Sequence, residues 1–275
     1  AIAPENLSTN LFDLSHPIMV QDTKGHTDAS RLDALAALSR GFYFTGSVAT
    51  AVAEFGSRLD VIVASTLSAI QKAELFQANF SFFGVQTAQA FADTPMAAKA
   101  YMIGAINIAF DSDRITATSF TPVEQSQLLS GAIAGVSSIT EVFKGTTYDA
   151  LSQQKFDAAK DIILSSLETA STRIQTSNLS ESAKTELFGG VVQGFLIGTE
   201  RAFEVNFITA DQLSDLTVSA YENIGNMLFA LNIDAIKEML PGIFEEIFKG
   251  SDEQIRAAFE GLGNALLNFI NTHNE

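Results

Sequence analysis

The sequence predicts an all-α protein, a multi-helix bundle of about nine helices preceded by an extended N-terminal arm. Three observations carry this expectation. Apolar residues recur at spacings of three and four along most of the chain, and a Ser, Thr or Asp with Pro or an acidic residue nearby stands before most of these runs. Strand-type alternation is nearly absent, and the five prolines sit at segment edges, where they leave helices intact.

In chain order, residues 1 to 26 read as the arm, with Pro4, Pro17 and Gly25 in a mixed polar composition. Residues 27 to 275 read as the bundle, with 111 to 121 as the sub-boundary should it divide. Thr27-Asp28 precedes a first stripe of Leu32, Leu35, Leu38 and Phe42, and Leu59, Ile62, Val63, Leu67 and Ile70 form the next. Asp93-Thr94-Pro95 places proline in a first helical turn, where its missing N–H costs nothing, ahead of Met102, Ile106 and Phe110. Thr121-Pro122-Val123-Glu124 repeats that start before Leu128, Ala132, Val136 and Ile139. Further stripes are Phe156, Ile163 and Leu167, then Leu187, Val191, Phe195 and Gly198, then Leu213, Leu216, Ala220, Ile224, Met227 or Leu228, and Leu231. Two short helices end the chain. One carries Ile236, Leu240, Ile243 and Ile247 and is interrupted at Pro241-Gly242; the other carries Ile255, Phe259, Leu262, Leu266 and Phe269.

Composition narrows the function classes. Sixteen basic residues against 32 acidic ones give a formal charge of -16. The cations are scattered singly from Lys24 to Arg256, so nucleic acid is not an expected partner. Hydrophobic residues reach 47% and charged residues 17%, an apolar balance that calls for a large core or for a partner on the surface. The negative charge keeps such a chain dissolved by self-repulsion. No cysteine is present, which excludes disulfides, thiolate metal sites and thiol nucleophiles. No transmembrane segment is expected, because the longest uncharged stretch, Leu75 to Ala92, contains Gln77, Asn79, Gln86 and Gln89. The opening Ala1-Ile2-Ala3-Pro4 reads as a mature terminus left by signal-peptide removal, and secretion is the expectation. Asn6, Asn79 and Asn178 each begin an Asn-x-Ser sequon and become glycosylation candidates on a secretory route; about two such triplets arise by chance in a chain of this composition.

Catalytic chemistry finds little support. His16, His26 and His273 are scattered singly in the tails, with no second ligand at helical spacing. Asp111-Ser112-Asp113 opens like a calcium loop, but Thr116 stands where glycine is needed and no Glu closes it, so a turn between helices is the reading. Nucleophile-elbow, phosphate-loop and zinc-protease patterns are all missing, and Glu245-Glu246 reads as surface charge. No enzyme activity, metal or cofactor is expected.

Two compositional features remain. Gly190, Gly194 and Gly198 lie four apart and form a smooth stripe on a helix, suited to close helix packing within the chain or to self-association; Gly131 and Gly135 do the same once. Phenylalanine numbers 22 against four tyrosines and no tryptophan. It fills a core, or it lines a cavity for a lipid or other apolar small molecule. The run Asn79-Phe80-Ser81-Phe82-Phe83-Gly84-Val85 would suit cross-β pairing if it were exposed.

The segment Ala100-Tyr-Met-Ile-Gly-Ala-Ile-Asn-Ile-Ala-Phe110, followed by Arg114-Ile115-Thr116, Pro122-x-x-Gln-x-x-x-Leu129 and Ala132 to Glu141, resembles consecutive helices of the N-terminal domain of spider silk proteins, the spidroins. Ala202-Phe203-Glu-Val-Asn-Phe-Ile-Thr-Ala-Asp-Gln-Leu213, running to Asn232-Ile-Asp234, is similar to the linker and last helix of the repeats of wrapping and egg-case silks. The likeness covers about a third of the chain. The tryptophan of the N-terminal domain and the fibre-forming repeats are both missing. The resemblance implies a secreted structural component of an extracellular material such as silk or glue, with itself or other matrix proteins as partners. It also implies association on acidification, for which Glu124, Glu141, Glu200, Glu204 and Asp211, near helix ends, are the candidate carboxylates. The rival expectations are an extracellular carrier of an apolar small molecule and an enzyme using only carboxylates and hydroxyls.

Overall fold

A computed structural model describes residues 47–91, 94–111, 114–137, 153–204, 208–229, 231 and 233–273. All regular structure among them is helical, in nine helices: α1 (Val48–Ala64), α2 (Ala69–Ala90), α3 (Pro95–Phe110), α4 (Pro122–Ser137), α5 (Gln153–Thr176), α6 (Glu181–Glu204), α7 (Ala210–Phe229), α8 (Ile233–Ile247) and α9 (Asp252–His273). The all-α bundle expected from the apolar periodicity is therefore present. The arm at 1 to 26 and the stripe Leu32 to Phe42 lie outside the described residues.

Helix starts follow local chemistry. Ser68, Thr121, Thr209 and Ser251 each accept from the backbone N–H three residues on, while the Gln or Glu at that position accepts from the cap's own N–H. These reciprocal pairs satisfy two orphan donors at the start of α2, α4, α7 and α9. At α4 the Thr121 N–H and hydroxyl donate to Glu124 at 2.8 and 3.0 Å. The backbone bond first, then the hydroxyl bond, holds the Glu124 carboxyl below its ordinary value of 4.5. A depressed carboxyl stabilises the fold above its unfolded value and loses that contribution as pH falls through the folded one. The α4 cap is accordingly intact at pH 5. Pro95 occupies the first turn of α3 as its sequence signal implies.

Two expectations are corrected at the chain's end. α8 runs unbroken through Pro241, because Ile236, Met239, Ile243 and Ile247 are buried on one face while Pro241 is exposed. One missing N–H on the solvent side is outweighed by that burial. The last helix is long rather than short, with 22 residues.

The core is one connected cluster that runs from Ala51 in α1 to Leu262 in α9 and includes Phe110 before, Ile115 within and Leu128 after the 111 to 121 connection. Phe55, Phe76, Phe80, Phe83, Phe156, Phe188 and Phe195 are fully enclosed in it. Phe55 meets Phe80 edge-on and Phe83 at a tilt, each at 4.8 Å between ring centres, a favoured aromatic geometry. The run 79 to 85 that would favour strand pairing lies inside α2, with Phe80, Phe82 and Phe83 buried.

At the centre of the bundle, α4 lies between α2 and α6, and every residue from Leu128 to Ser137 is buried. Glycines allow both contacts. A Cβ on Gly131 would strike the Ala73 carbonyl, and one on Gly135 would lie 2.5 Å from Phe80 Cβ and 2.6 Å from the Gln77 carbonyl oxygen, all on α2. On the other side a Cβ on Gly190 would strike the Ser126 carbonyl, one on Gly194 the Ser130 carbonyl, and one on Gly198 would lie 2.8 Å from the Ala134 carbonyl oxygen. Elsewhere Gly56 and Gly104 admit α1 and α3 to one another, and Gly225 and Gly261 do so for α7 and α9.

We expect Gly194→Leu to lower unfolding free energy by about 3 kcal/mol or to prevent folding, because the backbone of α4 cannot yield the space. Denaturant titration followed by circular dichroism measures this, and an unchanged midpoint would contradict the packing.

Candidate functional site

The residues singled out by sequence fall in different places. Gly190, Gly194 and Gly198 are all buried against α4, so the stripe is used for packing within the chain. Of the sequons, Asn6 lies outside the described residues. Asn178 is exposed in the turn between α5 and α6, next to Ser180, whose hydroxyl accepts from Ala183 N–H at 3.2 Å to start α6. Asn79 is corrected: it is 0% exposed in the middle of α2, and a glycan has no way out of a close-packed interior.

Asn79 is unusual in a second respect. Neither its Oδ1 nor its Nδ2 has a hydrogen-bond partner among the described residues. The Tyr221 hydroxyl is also buried without such a partner, and burial, followed by the nearby Glu246 carboxylate, pushes that phenol far above its ordinary value. Buried groups of this kind cost stability unless they are satisfied.

The strongest polar arrangement among the described residues gathers around the α3 C-terminus. Arg114 donates from Nε and Nη2 to the two oxygens of Asp60 at 2.7 and 3.0 Å, and from Nη1 to the carbonyls of Ile108 and Asp111 at 2.8 and 3.1 Å. The Asp111 side chain in turn pairs with Arg173 of α5. Gly56 leaves room for the guanidinium, since a Cβ there would lie 3.1 Å from Nη2. This clasp joins α1, α3 and α5, and it binds helix-end carbonyls where a cation is favoured. Asp111 is thus engaged as a structural anion, in keeping with the turn reading. A cleft of about 430 Å³ opens beside it, lined by Phe110, Thr116, Arg173, Thr176, Ser177, Asn178 and Leu179.

Among the described residues no group of three or more His, Asp or Glu is placed to hold a metal, and no helix is long and apolar enough to cross a membrane. His16 and His26 lie outside the described residues, and His273 is the last residue of α9. Of the candidate carboxylates, Glu200 and Glu204 are exposed near the end of α6, Asp211 is exposed in the first turn of α7, Glu124 is engaged in its cap and Glu141 is not described.

A feature the sequence reading did not separate is the outer surface of α9 and of the turn that follows α8. Phe248, Phe259, Leu266, Leu267 and Ile270 all stand exposed, with Phe248 and Phe259 5.8 Å apart between ring centres. The predicted stripe of α9 joined buried Leu262 to exposed Phe259 and Leu266. The available signal was apolar residues at Leu267 and Ile270, off that stripe, which make the helix apolar on a second side.

No protein-family model matches this chain, and no curated protein is significantly similar to it.

Asn79→Leu should raise unfolding free energy by about 1 kcal/mol, since an apolar side chain of similar size replaces two unpaired polar atoms. Thermal and denaturant melting would show this directly, and a loss of stability would mean that Asn79 has a bonding partner.

Proposed function

We propose that the chain is a secreted structural protein that associates with itself through helical surfaces as part of an extracellular material such as silk or glue. The observation that carries this reading is the exposed apolar surface on α9 and the turn before it, in a chain whose net charge is -16. Such a surface favours association, and the charge opposes it at neutral pH. The balance between them is adjustable by pH and salt, which suits a protein that must stay dissolved until it is deployed.

Three further observations support the reading. The described residues of the segments similar to spidroin N-terminal helices fall on α3, the Arg114 clasp and α4, where Leu128 to Ser137 are all buried. The described phenylalanines of the core contact one another and the surrounding helices, which favours packing over a cavity for an apolar cargo. One sequon, Asn178, is placed where an extracellular glycan could stand.

Light scattering of the dilute chain between pH 7.5 and pH 5, at low and at physiological salt, tests the proposal. Neutralising carboxylates, or shortening the screening length to ~8 Å, should raise the mean mass while helicity is kept, since the Glu124 cap remains formed in this range. A monomer under every condition would refute assembly and favour the carrier reading, which native mass spectrometry for bound lipid would then examine.

A further inference from the structure

We propose that the outer face of α9 is the surface through which two copies of this chain associate, the two helices lying antiparallel with Phe259 of each copy seated over Gly263 of the other. This rests on the self-association reading and names its surface. Asp252, Arg256, Phe259, Gly263, Leu266 and Ile270 follow one another at alternating spacings of four and three, the repeat that holds residues on one seam along which a second helix can lie. The seam points away from the bundle. α9 turns Gln254, Ala258, Gly261, Leu262 and Ala265 inward, all buried, whereas Phe259, Leu266, Leu267 and Ile270 are between 40% and 59% exposed.

Gly263 divides this apolar ridge. A Cβ added there would meet nothing within 4 Å, in contrast to Gly261 on the opposite side, whose space α7 occupies. A bulky ring and an open notch therefore lie one turn apart on the same exposed face. A two-fold axis between them places each ring over the other copy's notch, so the face is complementary to itself, as an isologous contact requires.

Charge selects the same arrangement. Asp252, Glu253, Arg256 and Glu260 all lie in the first half of α9, and residues 261 to 272 carry no charge. Antiparallel order sets the charged half of one helix over the neutral half of the other. Parallel order would bring the acidic residues of both copies together in a chain already at -16. With Phe248 at the edge, 63% exposed, the face offers on the order of 400 Å² of apolar surface per copy. Two copies with their polar rims reach about 1,000 Å², the size of a specific but weak interface.

Analytical ultracentrifugation of the full chain over a concentration series tests this, in about 0.5 M NaCl, where the screening length falls to ~4 Å. The expected result is a reversible dimer whose dissociation constant rises about tenfold or more in Gly263→Leu and in Leu267→Glu. Gly263→Leu should keep full helicity and an equal or higher melting temperature, because the monomer has room for the side chain. Ile70→Glu, on the exposed side of α2, should leave the dimer unchanged. A dimer that survives both α9 variants, or that Ile70→Glu weakens as much, overturns the proposal while leaving self-association standing. A wild-type monomer throughout overturns both. A monomer whose melting falls in Leu267→Glu would assign the face to another segment of the same chain and overturn the proposal as well. Because the chain has no cysteine, Asp252→Cys and Ile270→Cys report the order of the helices. Oxidation of the mixture should give a cross-linked dimer that neither variant gives alone, and self-linking of each would refute the antiparallel arrangement.

Discussion

The approach of three helix backbones to one another, α2 and α6 on either side of α4, is the constraint on which the rest of the bundle depends. Glycine is required there because the atoms facing the missing side chains are main-chain carbonyls of the neighbouring helix, as at Gly131 and Ala73 or Gly194 and Ser130. A carbonyl held in its own helix cannot rotate away as a side-chain end can. The cost of each glycine in a helix, about 1 kcal/mol against alanine, is offset by the burial that the close contact permits, which extends over the whole of Leu128 to Ser137.

Around this slab the helices are attached by longer side chains. The aromatic rings of α1 and α2 fill the space left where backbones stand further apart, and charged pairs join the outer helices, Lys99 to Asp161 between α3 and α5 and Lys160 to Asp215 between α5 and α7. Both pairs are partly in solvent, so each contributes a fraction of a kcal/mol. The Arg114 clasp differs because its guanidinium is buried and meets two carbonyls as well as a carboxylate. The interior is thus held mainly by shape, and the acidic excess is left on the outside. There, on the proposed reading, it opposes association through the apolar face of α9 at neutral pH and low salt.

Much of this was legible in local sequence patterns. Thr121 to Glu124 and Pro95 mark helix starts by chemistry that acts within one turn, and the Gly190, Gly194 and Gly198 repeat marks a face by regular spacing. Features that depend on distant pairs were not legible. Gly56, Gly104, Gly225 and Gly261 stand singly in the sequence, and only their partner helices give them meaning. Arg114 and Asp60 are 54 residues apart. Pro241 looked like a break because the burial of Ile243 and Ile247, which overrides it, is a tertiary effect. Asn79 looked like a surface acceptor for the same reason, since nothing in its triplet reports that α2 turns it inward. On α9 an apolar stripe was visible, but its division between α7 and solvent depends on where α7 lies.

The bundle depends most directly on a division between glycines at sites of backbone contact and glycines that face open space. Comparing melting temperatures of Gly→Ala variants at Gly131, Gly194 and Gly261 with those at Gly189 and Gly263, where an added Cβ meets nothing within 4 Å, measures this with a single added methyl group. The open positions should melt higher than the wild-type chain, since alanine is the better helix former by about 1 kcal/mol, and the three contact positions should melt lower. Stabilisation at Gly131 and Gly194 as large as at Gly189 would contradict the close packing of α2, α4 and α6.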